Sequence, residues 1–280
     1  MNPANGLNWR SRCARPCRLF AAPLLAAALF GLPSRSQAES VDSELLLLVD
    51  VSKDGLKKND FDTLMSGYAS AFTSSSVIDA IASGAAGRIA ISLMFFGGSP
   101  SQSLGIPWMS ISNEAEAQMF AGQLTSLARP SNGNYTFADA MGAGIPSFGT
   151  ETGAAGNGFE SPVQMVQVGA VSRPNGSTKA DEAASQQALA SGIDLISAVV
   201  LGKKADAIES YYRDSIVGGT VGLISGSVVS TDLSSRFTLT MEEQLSGHLG
   251  AAAAVPESSA VLLFASSLGV LLMLRRRTSH

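Results

Sequence analysis

The sequence predicts an α/β domain: a doubly wound, mostly parallel sheet with helices on both faces. Three observations predict it. Four apolar runs, over residues 44–51, 88–96, 163–171 and 194–201, have the length and continuity of strands buried on both faces of a parallel sheet. Segments with apolar residues at helical spacing lie between them. Strand and helix then alternate along the chain, which implies right-handed crossovers that lay helices over both faces.

Taken in order, the first strand reads Glu44-Leu45-Leu46-Leu47-Leu48-Val49-Asp50-Val51. A helix over 60–72 follows, with Phe61, Leu64, Met65, Tyr68 and Phe72 on one face. The second strand ends at Gly97-Gly98. A second helix over 114–127 aligns Ala117, Phe120, Ala121 and Leu124, and a third starts near Thr136. After the third strand comes a helix over 180–190. Asp181 and Glu182 near its N-terminus suit the helix dipole. After the fourth strand, 205–213 reads as a short helix and 220–224 as a short strand. Thr231 or Asp232 is expected to cap a last helix running to about Leu245. Residues 99–113 and 149–161 are expected to be loops over the sheet edge. The domain is expected to span 40–247, with alanine-rich 248–254 as a linker.

The two ends of the chain differ in composition from the middle. Arg10, Arg12, Arg15 and Arg18 precede an apolar run from Leu19 to Leu32, and Ser36-Gln37-Ala38 offers small residues where a signal peptidase reads. Residues 1–38 are therefore expected to be a secretory signal, cleaved after Ala38, with a short N-terminal anchor as the alternative. Both cysteines, Cys13 and Cys17, fall inside it, so the mature chain would have no thiol for catalysis or metal ligation. At the other end, Val255-Pro256-Glu257 precedes an apolar stretch expected to form a transmembrane helix over 260–274, closed by Arg275, Arg276 and Arg277. That is a stop-transfer arrangement, with the arginines on the cytoplasmic side. The three parts resemble the PEP-CTERM sorting signal, with Ser258 where that signal has a second proline. The resemblance implies recognition by an exosortase-type processing enzyme and transient anchoring, followed by release to the cell surface or an extracellular, biofilm-like matrix. A plain C-terminal anchor is the alternative. The net charge of −4 provides no basic field for nucleic acid.

In doubly wound sheets ligands gather at the carboxyl ends of the strands. Asp50-Val51-Ser52-Lys53-Asp54 sits at such an end, and its alternate oxygen-bearing side chains suit a hard cation. The spacing resembles the metal-ion-dependent adhesion site of von Willebrand factor A domains, Asp-x-Ser-x-Ser, with Asp54 in place of the second serine. Thr136 resembles the threonine of the next ligand loop. Gly67-Tyr68-Ala69, Val77-Ile78-Asp79-Ala80-Ile81, Ile106-Pro107-Trp108, and Tyr211-Tyr212 with Val217-Gly218-Gly219 resemble the DUF1194 group of von Willebrand A-like domains. This resemblance covers about 41–247. It implies Mg²⁺ or another divalent cation held by Asp50, Ser52, Asp54 and Thr136, and a protein ligand that completes the coordination. One segment departs from the pattern: the family's Asp-Val-Ser-Gly-Asp-Gly stands here as Gln167-Val168-Gly169-Ala170-Val171-Ser172, without its carboxylates. Both a bound cation and none remain readings of so altered a site.

Blander readings stand beside these. Asp50 is also placed to cap the following turn. Lys53, Lys57 and Lys58 read as a solvated helix face, and Trp108 as packing over the sheet rather than a sugar platform. For function, the expectation is a surface or matrix binding and scaffolding module, with extracellular protein or polysaccharide as partner. The alternatives are an exported hydrolase and a purely structural matrix component. Against a hydrolase, the chain has two histidines, one of them the terminal His280, and no Gly-x-Ser-x-Gly elbow.

Overall fold

The computed structural model describes residues 38–52, 55–97, 103–131, 133, 136–149, 156–174, 176–202, 205–231 and 237–255. The expected signal before Ala38 and the expected sorting segment from Pro256 onward, with its apolar stretch and arginines, lie outside the described residues. Among the described residues no helix is long and apolar enough to cross a membrane.

The elements run β1 (Glu39–Ser40), β2 (Ser43–Asp50), α1 (Lys58–Phe72), α2 (Ser75–Ala82), β3 (Ile89–Phe96), β4 (Ser103–Ile111) and α3 (Glu114–Ser126). They continue with α4 (Phe137–Gly144), β5 (Phe159–Glu160), β6 (Gln164–Ala170), α5 (Thr178–Ala190), β7 (Leu195–Leu201), α6 (Ala205–Ser215), β8 (Gly218–Val221), β9 (Ile224–Ser225), β10 (Val228–Thr231) and α7 (Phe237–Ala253). The main sheet has the order β4-β3-β2-β6-β7-β8-β9. Its centre is parallel, with β2 between β3 and β6 and β7 next to β6. The outer side of β7 is shared: its start pairs with β8 antiparallel and its end with β10 parallel. This is the expected α/β architecture, made mixed by antiparallel edges.

All eight residues of β2 are buried, as a continuous apolar run requires. Successive side chains take opposite faces. Leu45, Leu47 and Val49 join one core with α1, α3 and α7, and Leu46 and Leu48 join the other with α4, α5 and α6. Residues 103–111, expected as loop, form the antiparallel edge strand β4. Gly105 and Pro107 obscure it in the sequence. The register against β3 shifts at Leu93, and an edge strand tolerates proline at such an irregularity. Trp108 packs edge-on against Phe148, ring centroids 5.2 Å apart.

The last helix runs past its expected end. It is described from Phe237, the expected cap at Asp232 lying outside the described residues, and continues through the segment expected as a linker to Ala253. Met241, Leu245, Leu249 and Ala252 bury one stripe of it against α1, α2 and the sheet, so tertiary packing carries the helix past Gly247 and Gly250. His248 is thereby buried in the domain rather than in a linker.

Candidate functional site

The carboxyl ends of β2 and β3 build the candidate site. Asp50, buried, is the last residue of β2 and pairs with Phe96 of β3. The backbone N–H of Ser52 donates to Asp50 Oδ1 at 2.8 Å, and that of Leu56 to the Asp50 carbonyl at 3.1 Å. Asp50 thus caps its own turn, the blander reading, while remaining at the strand end where a ligand carboxylate would stand. Two glycines permit the turn. A Cβ on Gly55 would lie 2.7 Å from Asp50 Oδ1. Gly97, with φ +73°, would bring one within 2.6 Å of Ser52 Cβ.

Ser52 is buried, and its Oγ has no hydrogen-bond partner among the described residues. Asp54, and Lys53 beside it, lie outside the described residues. Thr136 is the N-cap of α4, and its hydroxyl is held in a capping box. It donates to Asp139 Oδ2 at 2.9 Å and accepts from the Asp139 N–H at 3.1 Å. Gln167 is removed from the site. It lies mid-strand in β6 between Leu47 and Ser197, and its amide donates to Gln244 Oε1 of α7 at 2.7 Å. Ala170 closes β6, and Val171 follows it, packed against the apolar core. Neither brings a carboxylate.

As a test of metal fit, Asp50 and Ser52 supply two suitable oxygens, and the Ser52 hydroxyl is uncommitted among the described residues. The third-loop anion is absent, and the Thr136 hydroxyl is engaged. No group of three His, Cys, Asp or Glu side chains converges among the described residues. That donor set is thin for a hard divalent cation, which takes six or more oxygen ligands.

Arg129, in the segment between α3 and α4, is a site residue that the sequence reading did not single out. Its guanidinium donates to the carbonyls of Val51 (2.8 Å) and Ser52 (3.2 Å), to that of Leu56, and to that of Pro130 (2.9 Å). Burial lowers its pKa, and the charge of Asp50 acts in the opposite sense. The only sequence signal for it was one cation in a loop leading to Thr136.

A polar cluster flanks the site. Tyr211 donates to Asp181 Oδ2 at 2.5 Å, and Arg173 stacks 4.2 Å from the Tyr211 ring centroid. Desolvation raises the Asp181 pKa, with opposing contributions from Tyr211, the Ala138 backbone and Arg173. Tyr212 donates to the Ser172 carbonyl at 2.8 Å. Burial, and then the charge of Asp50, hold its hydroxyl well above the usual phenol range. The tyrosine pair noted in the sequence is therefore structural support for the β6–α5 turn.

A family model described as "Protein of unknown function (DUF1194)" matches residues 40–248. Comparison with curated proteins gives no match. Among solved structures, proximal thread matrix protein 1 from the mussel byssus aligns at TM-score 0.48 and 12% identity, over 75% of this chain and 48% of that one. The pilus adhesin SpaC from Lactobacillus rhamnosus GG aligns at 0.46 and 12%, over 76% and 31%. A von Willebrand factor type A structure from Catenulispora acidiphila aligns at 0.43 and 12%, over 76% and 43%. The chain spans less than half the length of each.

Proposed function

The chain belongs to the DUF1194 family, and from that we propose that it is an exported binding and scaffolding module. Its carboxyl-end face, centred on Asp50 and Ser52, would engage an extracellular protein or polysaccharide. The observation that carries this reading is the Asp50–Ser52 turn. It presents a buried carboxylate and a hydroxyl uncommitted among the described residues at the sheet end where such folds bind, shaped by two glycines that leave no room for a side chain. The expected signal and sorting segments supply the route: export, transient anchoring, processing by an exosortase-type enzyme, and release to the surface or matrix.

A hydrolase is the weaker reading. Ser52 has no histidine beside it among the described residues. His248 stands instead on α7, 3.5 Å from Ser227 Oγ, and burial lowers its pKa to about 4. A base so weak, in a site without a nucleophile elbow, is a poor proton acceptor near neutrality.

Fractionation of the producing cell tests the proposal. Wild-type chain is expected in the surface or matrix fraction, with mass spectrometry locating its N-terminus at Glu39 and its C-terminus before Arg275. Asp50→Ala is expected to be exported and processed normally, yet to shift roughly tenfold toward the soluble medium. A wild-type chain confined to the soluble periplasm, or an Asp50→Ala chain retained like wild type, would refute it.

A further inference from the structure

We infer that the Arg129 guanidinium, not a divalent cation, is the resident positive charge of the Asp50 turn, so that this face engages its partner without metal. The assignment of the charge stands on geometry; only its consequence for binding rests on the function proposed above.

Three backbone carbonyls, from Val51, Ser52 and Leu56, turn toward one point beside a buried carboxylate. Converging oxygens of this kind are what a hard cation takes. Here they receive the guanidinium, whose planar fork reaches several acceptors at once. Gly133, four residues after Arg129, donates to the Gly97 carbonyl at 2.6 Å, fixing the Arg129 segment across the end of β3. The charge of Asp50 opposes the lowering of the Arg129 pKa by burial.

The same contacts argue against a second cation. A metal held by Asp50 and the Ser52 hydroxyl would face a guanidinium bonded to the Ser52 carbonyl. The carboxylates that would offset the added charge are gone from β6, where Ala170 and Val171 stand. Among the described residues of the turn Asp50 and Arg129 carry one charge of each sign, and a divalent ion added there would leave an excess of positive charge in a part-buried place.

Calorimetry and thermal unfolding of the full chain with Mg²⁺, Mn²⁺, Ca²⁺ and EDTA test this. Titration of the unaltered chain includes whatever Asp54 contributes. Wild type is expected to give no saturable heat and no shift in Tm. Arg129→Ala is expected to lower Tm by on the order of 5 °C, and Arg129→Lys by less, since an ammonium keeps the charge but not the fork. The Asp50→Ala/Arg129→Ala double variant should lose less than the sum of the singles. Saturable binding of any of the ions that disappears in Asp50→Ala overturns the inference, as do additive losses or an unchanged Arg129→Ala. If Arg129→Ala fails to fold, the wild-type titration and Arg129→Lys decide alone. Retention at the surface that needs Asp50 but vanishes in EDTA would sink this inference and leave the binding function standing. Absence of retention with Asp50 and Arg129 still coupled would do the reverse.

Discussion

His248 shows what burial does to one side chain. It is 7% exposed on the inner face of α7, and desolvation holds its pKa at about 4 against an ordinary 6.5. As pH falls, the unfolded chain takes up the proton first. The stability contributed by the neutral ring is therefore complete above about pH 6.5 and is lost as pH falls from there toward 4. The full difference corresponds to about 3 kcal/mol. Glu44, Asp181 and Asp194 have raised pKa values and act in the opposite sense, favouring the folded state when protonated. The measurement that isolates the histidine is thus a difference. Urea unfolding at pH 7.5 and 5 should show the gap between wild type and His248→Leu narrowing by about 2 kcal/mol at the lower pH.

At the scale of elements, α7 is fastened to the sheet by amides as well as apolar contacts. Gln244 accepts from Gln167 of β6 and donates to the Ser227 hydroxyl at 3.0 Å and the Ser227 carbonyl at 3.3 Å. Removing one partner of a buried pair strands the other, whereas replacing both by apolar groups strands neither. Gln244→Leu is expected to lose about 2 kcal/mol in urea unfolding, and Gln167→Leu/Gln244→Leu to recover part of that loss. A double variant no better than the single would show that the Ser227 contacts, not the amide pair, hold the helix. The amide pair also accounts for an amide at Gln167. Facing α7 in mid-sheet, an amide finds a partner there and a carboxylate would meet another acceptor.

For the whole molecule, the two ends of the sheet divide the work. The carboxyl end holds the Asp50 turn, and the amino end is secured by Glu44, fully buried. Its carboxylate accepts from Gly149 N–H (3.0 Å), Ser161 Oγ (3.0 Å), Gln164 Nε2 (3.4 Å) and the Asn157 amide. Burial raises its pKa, and the four hydrogen bonds counter that rise. One residue of the first strand thereby ties down chain more than a hundred positions later. Glu44→Leu is expected to cost about 3 kcal/mol or more at pH 7, since several buried donors lose their acceptor together. A loss under about 1 kcal/mol in urea unfolding would mean that water replaces the carboxylate at no penalty.

The strands, the helix faces and the strand-end turn follow from local pattern, because apolar continuity, helical spacing and an Asp-x-Ser turn are properties of adjacent residues. Leu45 to Val49 and Phe61 to Phe72 announce themselves in this way, and so does Thr136 as a helix start. Local pattern therefore determined the fold class and the family, and pointed to the strand-end turn as a candidate site. Tertiary structure decided the rest, wherever the deciding partner is distant in sequence. Residues 103–111 form a strand only because β3 offers them an edge. The end of α7 is helical because the sheet and α2 bury Leu249 and Ala252. Arg129 belongs to the site because the α3–α4 segment crosses a turn more than seventy residues earlier. A charge meeting backbone carbonyls leaves no periodicity in a sequence, so only the folded chain brings the Arg129 guanidinium to the Asp50 turn.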